Sequence, residues 1–161
     1  MDLLLLRHGI AEDRWDDDFA RRLTDEGLAK CRLAGHGLAR LGLTFTHVFT
    51  SPLVRAVETA AAVLPDHPAT ELPALANSPV DELFDALRPL PLASVVLLVG
   101  HEPQMSAVVE ALLGVQHGFV QMKKAGLAWL EVDLTRWPRE PALLVSLLTP
   151  SQLRGLGGLG E

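Results

Sequence analysis

The chain has a single cysteine, fewer basic than acidic residues, and no apolar run long enough to cross a membrane. Cys31 stands alone, so no disulfide can close within the chain. It falls in a helical pattern and reads as a small core residue, and a lone thiol fits a reducing compartment. Lysine plus arginine number 14 against 20 aspartate plus glutamate, a formal net charge of -6. Nucleic-acid partners need a basic face, so that balance argues against one. The N-terminal run Met1 to Leu6 is short and carries an acid at Asp2, so it reads as neither a secretory signal nor a membrane span. Leu92 to Gly100 is too short to span as well. The expectation is a cytoplasmic protein with no membrane contact. With 161 residues, 48% hydrophobic and 21% charged, residues 1–161 suit one domain with a substantial core.

The apolar pattern predicts an α/β protein: a three-layer α/β/α sandwich whose central sheet is mostly parallel, with antiparallel C-terminal strands. Met1 to Leu6 is the right length for a buried strand, and Gly9 allows a sharp turn after it. Thr24 is a good N-cap, with Asp25 and Glu26 in the first turn and Leu23 and Leu28 at staple spacing. Leu28, Cys31, Ala34, Leu38 and Leu41 form one helix face, and Gly42 stops it. Thr46 to Thr50 reads as a strand, and Ser51-Pro52 as the N-cap and N1 of a helix ending before Pro65. A short edge strand is expected near Ala69 to Leu72, a helix over Val80 to Leu87, and a central strand over Ser94 to Gly100. A helix opens at Pro103 and ends at Gly114; Leu127 to Leu134 and Ala142 to Leu148 suit an antiparallel pair. The glycine-rich stretch from Gln152 to Glu161 reads as a frayed, flexible tail. The chain shows no internal repeat beyond an echo of strand, glycine and histidine.

Three strand-to-loop junctions carry polar groups: Arg7-His8-Gly9, Ser51 with Arg55, and Gly100-His101. A parallel sheet places such junctions along one edge, where ligands bind. Two arginines and two histidines then converge, a set suited to a phosphoryl group. The guanidinium fork matches phosphate oxygens, and a neutral imidazole can attack phosphorus. The plain alternative for each junction is a strand that merely ends in polar residues.

Arg7-His8-Gly9, Ser51-Pro52-Leu53-Val54-Arg55-Ala56 with Thr59, and Gly100-His101-Glu102-Pro103 resemble the histidine phosphatase superfamily, the phosphoglycerate-mutase-like clan. The order and spacing match over most of the chain. Asp18-Phe19-Ala20-Arg21-Arg22-Leu23-Thr24 and Thr149-Pro150-Ser151-Gln152-Leu153 resemble segments of its short SixA-type phosphohistidine phosphatases. Arg22 departs from that pattern, which has proline there. The resemblance implies that His8 is the nucleophile and carries the phosphoryl group, while Arg7, Arg55 and His101 hold its oxygens. It implies that Arg21 is an outer contact oriented by Asp18, with Gly9 and Ser51 also on the substrate side. No metal or other cofactor is implied.

Larger members of that clan carry a glutamate general acid, and residues 56–100 show no clear match to its segment. Glu58, Asp81 and Glu82 are the available acids, each equally readable as a solvated helix position. A departing imidazole can be protonated on its distal nitrogen and needs such an acid less than an alkoxide does. The expected function is therefore a metal-independent phosphatase acting on phosphohistidine in a protein. The rivals are a small-molecule phosphomonoesterase of the same clan and a phosphate-binding module without catalysis. His36, His47, His67 and His117 lack partners at metal-ligand spacing and read as structural or surface residues. Lys123-Lys124 reads as a solvated pair, or else as a contact to an acidic protein partner. Trp15 either lines the mouth of the site or packs locally.

Overall fold

Four successive leucines, Leu3 to Leu6, have no polar alternation because the strand that holds them is covered on both faces. In the computed structural model, which describes residues 1–13 and 16–158, they lie in β1 (Asp2–Arg7) and are fully buried. Leu3 and Leu5 point into one core, and Leu4 and Leu6 into the other. Strand periodicity of two divides the run this way. Each leucine contributes about 1.5–3 kcal/mol by leaving water.

The remaining elements are α1 (Asp25–Ala39), β2 (His47–Thr50), α2 (Val54–Val63), β3 (Thr70–Glu71), a 3-10 turn (Pro73–Leu75), α3 (Val80–Leu87), β4 (Val95–Gly100), α4 (Gln104–Leu113), β5 (Leu127–Glu131), β6 (Leu143–Leu148) and α5 (Pro150–Leu156). The sheet runs β3-β2-β4-β1-β5-β6. The first four of these strands are mutually parallel, while β5 and β6 are antiparallel to their neighbours. This is the expected three-layer mixed sheet. Val96 and Leu98 of β4 join the core that holds α3 and α4. Leu97 and Val99 join the core that holds α1, α2 and Leu153 of α5.

Several local expectations hold. The Thr24 side chain accepts the Gly27 N–H at 3.0 Å, and α1 starts at Asp25. Gly114 ends α4 at φ 67°, in the left-handed region that glycine tolerates. Cys31 is buried.

Two local expectations fail. Ser51 does not cap α2, which begins at Val54 with Leu53 as an N-cap lacking any side-chain bond. Residues 152–156 are not a free tail either, since α5 occupies Pro150–Leu156 and opens with a Thr149/Gln152 capping box. Leu153 of α5 is buried against α1. The approach is close enough that a Cβ on Gly37 would meet the Leu153 carbonyl oxygen at 1.7 Å. A high glycine content concealed a helix whose one buried leucine fixes it.

Candidate active site

The parallel register sets the site. Arg7 of β1 pairs with Gly100 of β4, and the His8 amide donates to the Gly100 carbonyl at 2.9 Å. One residue further along each strand stand His8 and His101, side by side. Their ring centroids are 5.0 Å apart with an interplanar angle of 49°. On the far side of β4, the Ser51 amide continues the ladder to Val99 O at 2.9 Å. Three adjacent parallel strands thus bring Ser51, His101 and His8 to one sheet edge.

Each imidazole is held by one nitrogen. His8 Nδ1 lies 2.7 Å from Gly9 O, and a carbonyl can only accept, so Nδ1 carries the proton and a neutral ring keeps its lone pair on Nε2. His101 Nε2 lies 2.7 Å from Ser51 Oγ. His101 Nδ1 is buried and makes no hydrogen bond among the described residues. Burial, followed by the neighbouring His101, Arg55 and Arg7, drives the His8 pKa down to about 3. Burial and the two arginines drive that of His101 down to about 4. Both rings are therefore neutral at ordinary pH.

The cations are fixed by the backbone and by one carboxylate. Arg7 Nη1 donates to Met122 O at 2.8 Å. Arg55, buried on α2, donates from Nη1 to Asp18 O at 2.5 Å and from Nη2 to Asp18 Oδ2 at 3.0 Å. Asp18 Oδ1 receives Arg21 Nη1 at 2.9 Å, and Arg21 Nε donates to Glu12 O at 2.7 Å. The Arg21 hydrogen bond, with support from Arg55, holds the Asp18 carboxyl below its usual range. Arg7 Nε and Arg55 Nε are buried and, like His101 Nδ1, make no hydrogen bond among the described residues. A buried donor without a partner costs about 1–3 kcal/mol, and N–H groups of this kind are the ones that an oxyanion accepts from.

The structure brings together His8, Arg7, Arg55 and His101 with Asp18, Arg21, Gly9 and Ser51. Gly9 serves by its size. A Cβ there would lie 2.5 Å from Cys31 Sγ, and the Gly9 amide donates to Thr59 Oγ1 at 3.0 Å. Thr59 in turn donates to Arg55 O at 2.7 Å, which ties the histidine loop to α2. Among the described residues none of the three candidate acids hydrogen-bonds His8 or His101. Glu58 receives Arg22 Nε at 2.6 Å and the Leu23 amide at 2.7 Å. Asp81 and Glu82 are exposed in the first turn of α3. Among the other histidines, His47 stacks on Phe49 and His117 donates from Nδ1 to the buried Glu110, with His36 and His67 at the surface. Trp15 lies outside the described residues.

Other supports were not visible in the sequence. The Ser106 hydroxyl donates to Glu102 Oε1 at 2.8 Å and accepts the Met122 amide at 3.1 Å, on the residue whose carbonyl holds Arg7. Glu102 also acts electrostatically on Arg7. The i to i+4 spacing of Glu102 and Ser106 on a helix start was a readable signal; a backbone carbonyl as the arginine's partner carries none.

Residues 3–83 match the family described as "Histidine phosphatase superfamily (branch 1)". An uncharacterised protein of Picosynechococcus sp. is 35% identical over 145 residues, spanning 84% of this chain and 88% of that protein. A 2,3-bisphosphoglycerate-dependent phosphoglycerate mutase of Methylobacterium radiotolerans is 39% identical over 87 residues, 50% of this chain but only 40% of the mutase. Among solved structures, the protein histidine phosphatase SixA complexed with tungstate superposes with TM-score 0.84 at 24% identity, covering 95% of this chain and 99% of that one. The alpha-ribazole phosphatase from Shigella flexneri superposes with TM-score 0.77 at 17% identity, over 93% and 97% of the two chains.

Proposed function

The chain belongs to the histidine phosphatase superfamily, and from that premise we propose that it is a metal-independent phosphatase that removes the phosphoryl group from phosphohistidine on a protein. One observation carries the reading. Two buried, neutral imidazoles stand 5.0 Å apart between two arginines, with His8 Nε2 left unengaged by the bond that holds Nδ1. The His8 Nε2 lone pair attacks phosphorus, and the bond from phosphorus to the substrate nitrogen breaks. The departing imidazole keeps that electron pair and is neutralised by a proton on its distal nitrogen. Arg7, Arg55 and His101 Nδ1–H stabilise the oxygens as charge shifts among them, the work a metal ion does in other phosphoryl-transfer sites. Water then attacks the phosphorylated His8, releasing inorganic phosphate and restoring the imidazole.

Among the described residues Glu58, Asp81 and Glu82 make no hydrogen bond to either histidine, which supports a phosphorus–nitrogen substrate. A second reading, a small-molecule phosphomonoesterase, is favoured by Glu102, which lies near enough to Arg7 to influence it. The test is intact-mass analysis at neutral pH after brief exposure to a phosphohistidine-bearing protein. One acid-labile phosphoryl group on His8 is expected, absent from His8→Ala. Full turnover by His8→Ala sinks the mechanism. Faster hydrolysis of sugar or nucleotide monoesters, lost in Glu102→Gln, moves the assignment to the second reading.

A further inference from the structure

The charge around the site edge is lopsided in a chain whose net charge is -6. On the α2 side, the loop bearing Asp16, Asp17 and Asp18 reaches the site through the Asp18 to Arg55 bonds. On the β5 side lies a cavity of about 490 Å³ lined by Arg7, Lys30, Lys123, Lys124 and Arg154, with no carboxylate in its wall. Its wall includes Arg7 and Gly9, the residues on either side of His8 in the chain. Lys30 has a partner in Glu26 on the same helix. Lys123, Lys124 and Arg154 form no ion pair among the described residues.

The two lysines are set by the catalytic strand itself. They occupy a turn that runs from Met122 to Gly126, immediately before β5. The Ala125 amide donates to both Arg7 O (3.0 Å) and His8 O (3.1 Å), and the Arg7 amide donates to Gly126 O at 3.2 Å. Met122 O in turn accepts from Arg7 Nη1. Ala125 sits at φ 59°, a left-handed conformation that costs a non-glycine residue about 1–3 kcal/mol. A strained turn bonded at both ends to Arg7 and His8 fixes the backbone from which the two lysines extend into the cavity wall.

We propose that this cavity is a second anion subsite, taking an aspartate or glutamate side chain that flanks the phosphorylated histidine of the protein substrate. The proposal rests on the phosphohistidine reading above and gives that substrate a specificity. An acidic flank is attracted at Lys123 and Lys124. One loose carboxylate gains little from one exposed lysine. A carboxylate enclosed by several cations gains charge-assisted hydrogen bonds, which corresponds to about tenfold or more in kcat/KM.

The experiment uses two phosphohistidine peptides that differ only by glutamate or glutamine on either side of the modified residue. The readout is the ratio of their kcat/KM values, which does not depend on the active fraction of a preparation. Wild type is expected to prefer the glutamate peptide by about tenfold, and Lys123→Ser/Lys124→Ser to bring the ratio close to one. Arg40→Ser/Arg139→Ser, which removes the same charge from exposed positions outside this cavity, should leave the preference in place. Equal rates on the two peptides in wild type, or a preference that survives loss of both lysines, overturns the subsite while the phosphohistidine reading stands. A drop of the same size in the Arg40/Arg139 variant makes the preference a long-range field effect and also overturns the subsite. Hydrolysis of neither peptide, with phosphoramidate still cleaved, removes the protein-substrate reading and the subsite together.

Discussion

His8 and His101 end adjacent parallel strands, each preceded by a buried apolar run, and both are held neutral by burial and by the same arginines. They differ in which nitrogen is engaged. His8 is pinned through Nδ1 by its own chain, at Gly9 O, and presents Nε2. His101 is pinned through Nε2 by a serine one strand away and presents Nδ1. Ser51 Oγ already accepts the Leu53 amide at 3.3 Å; assigning its own hydrogen to Nε2 puts the proton of neutral His101 on Nδ1. One ring then offers a lone pair where the other offers an N–H, the division by which the proposed mechanism shares attack and stabilisation between two chemically identical side chains. The local hydrogen bond assigns the role, and the residue type does not.

The sharpest way to break this comparison is to remove each ring in turn. His8→Gln should lower turnover by about 10⁴-fold or more, because the other ring at the site, His101, offers an N–H and not a lone pair. His101→Gln should cost about 10²–10³-fold in kcat while the acid-labile adduct on His8 still forms. Comparable losses with no adduct in either variant would erase the distinction; rapid-quench measurement with labelled substrate decides it. Ser51→Ala frees His101 Nε2 and with it the choice of tautomer. It should lower kcat about tenfold with little change in KM, as loss of an orienting bond does.

Acidification sharpens the comparison from another direction. An imidazole of ordinary pKa would lose roughly thirtyfold in reactive form between pH 7 and pH 5. With the His8 pKa at about 3, the rate of adduct formation at pH 5 should stay within about threefold of that at pH 7. The same shifts act on stability. Both rings have folded pKa values below the reference 6.5, so between about pH 6.5 and the folded values near 3 and 4 the unfolded chain binds protons that the folded chain does not. Stability is greatest above that window and falls as the pH is lowered through it. The smallest effect is expected for Glu58→Gln, within about threefold in kcat, since that carboxylate serves Arg22 and the Leu23 amide. A loss of a hundredfold would return Glu58 to the chemistry as an acid.

The strands and the four central residues were legible in the sequence for a physical reason. A strand buried on both faces has to be a continuous apolar run, as in Leu3–Leu6 and Val95–Val99, and the polar residues that close such runs in a parallel sheet meet at one edge. Helix α3 was readable to the residue, Val80–Leu87, because its apolar face and the flanking prolines coincide. Ser51 misled because serine followed by proline is a strong local helix start, and a tertiary bond to His101 took the hydroxyl instead. Helix α5 was hidden by glycine-rich composition, and only its packing on α1 explains it. The supports of Arg7 were invisible, since a main-chain carbonyl at Met122 and a strained Ala125 depend on how distant segments meet.

The position of β1 in the sheet sets a timetable for the chain. The first strand in sequence sits between β4 and β5, whose residues lie some ninety and one hundred and twenty-five positions downstream. At about 5–20 residues per second, the ribosome leaves Leu3–Leu6 without its second neighbour for roughly 6–25 s. The most apolar segment of the catalytic strand is thus the one that waits longest for cover. His8, which follows it, comes into place only once β5 has been made, so a nascent chain released before β5 should bind chaperones and show no phosphorylation of His8.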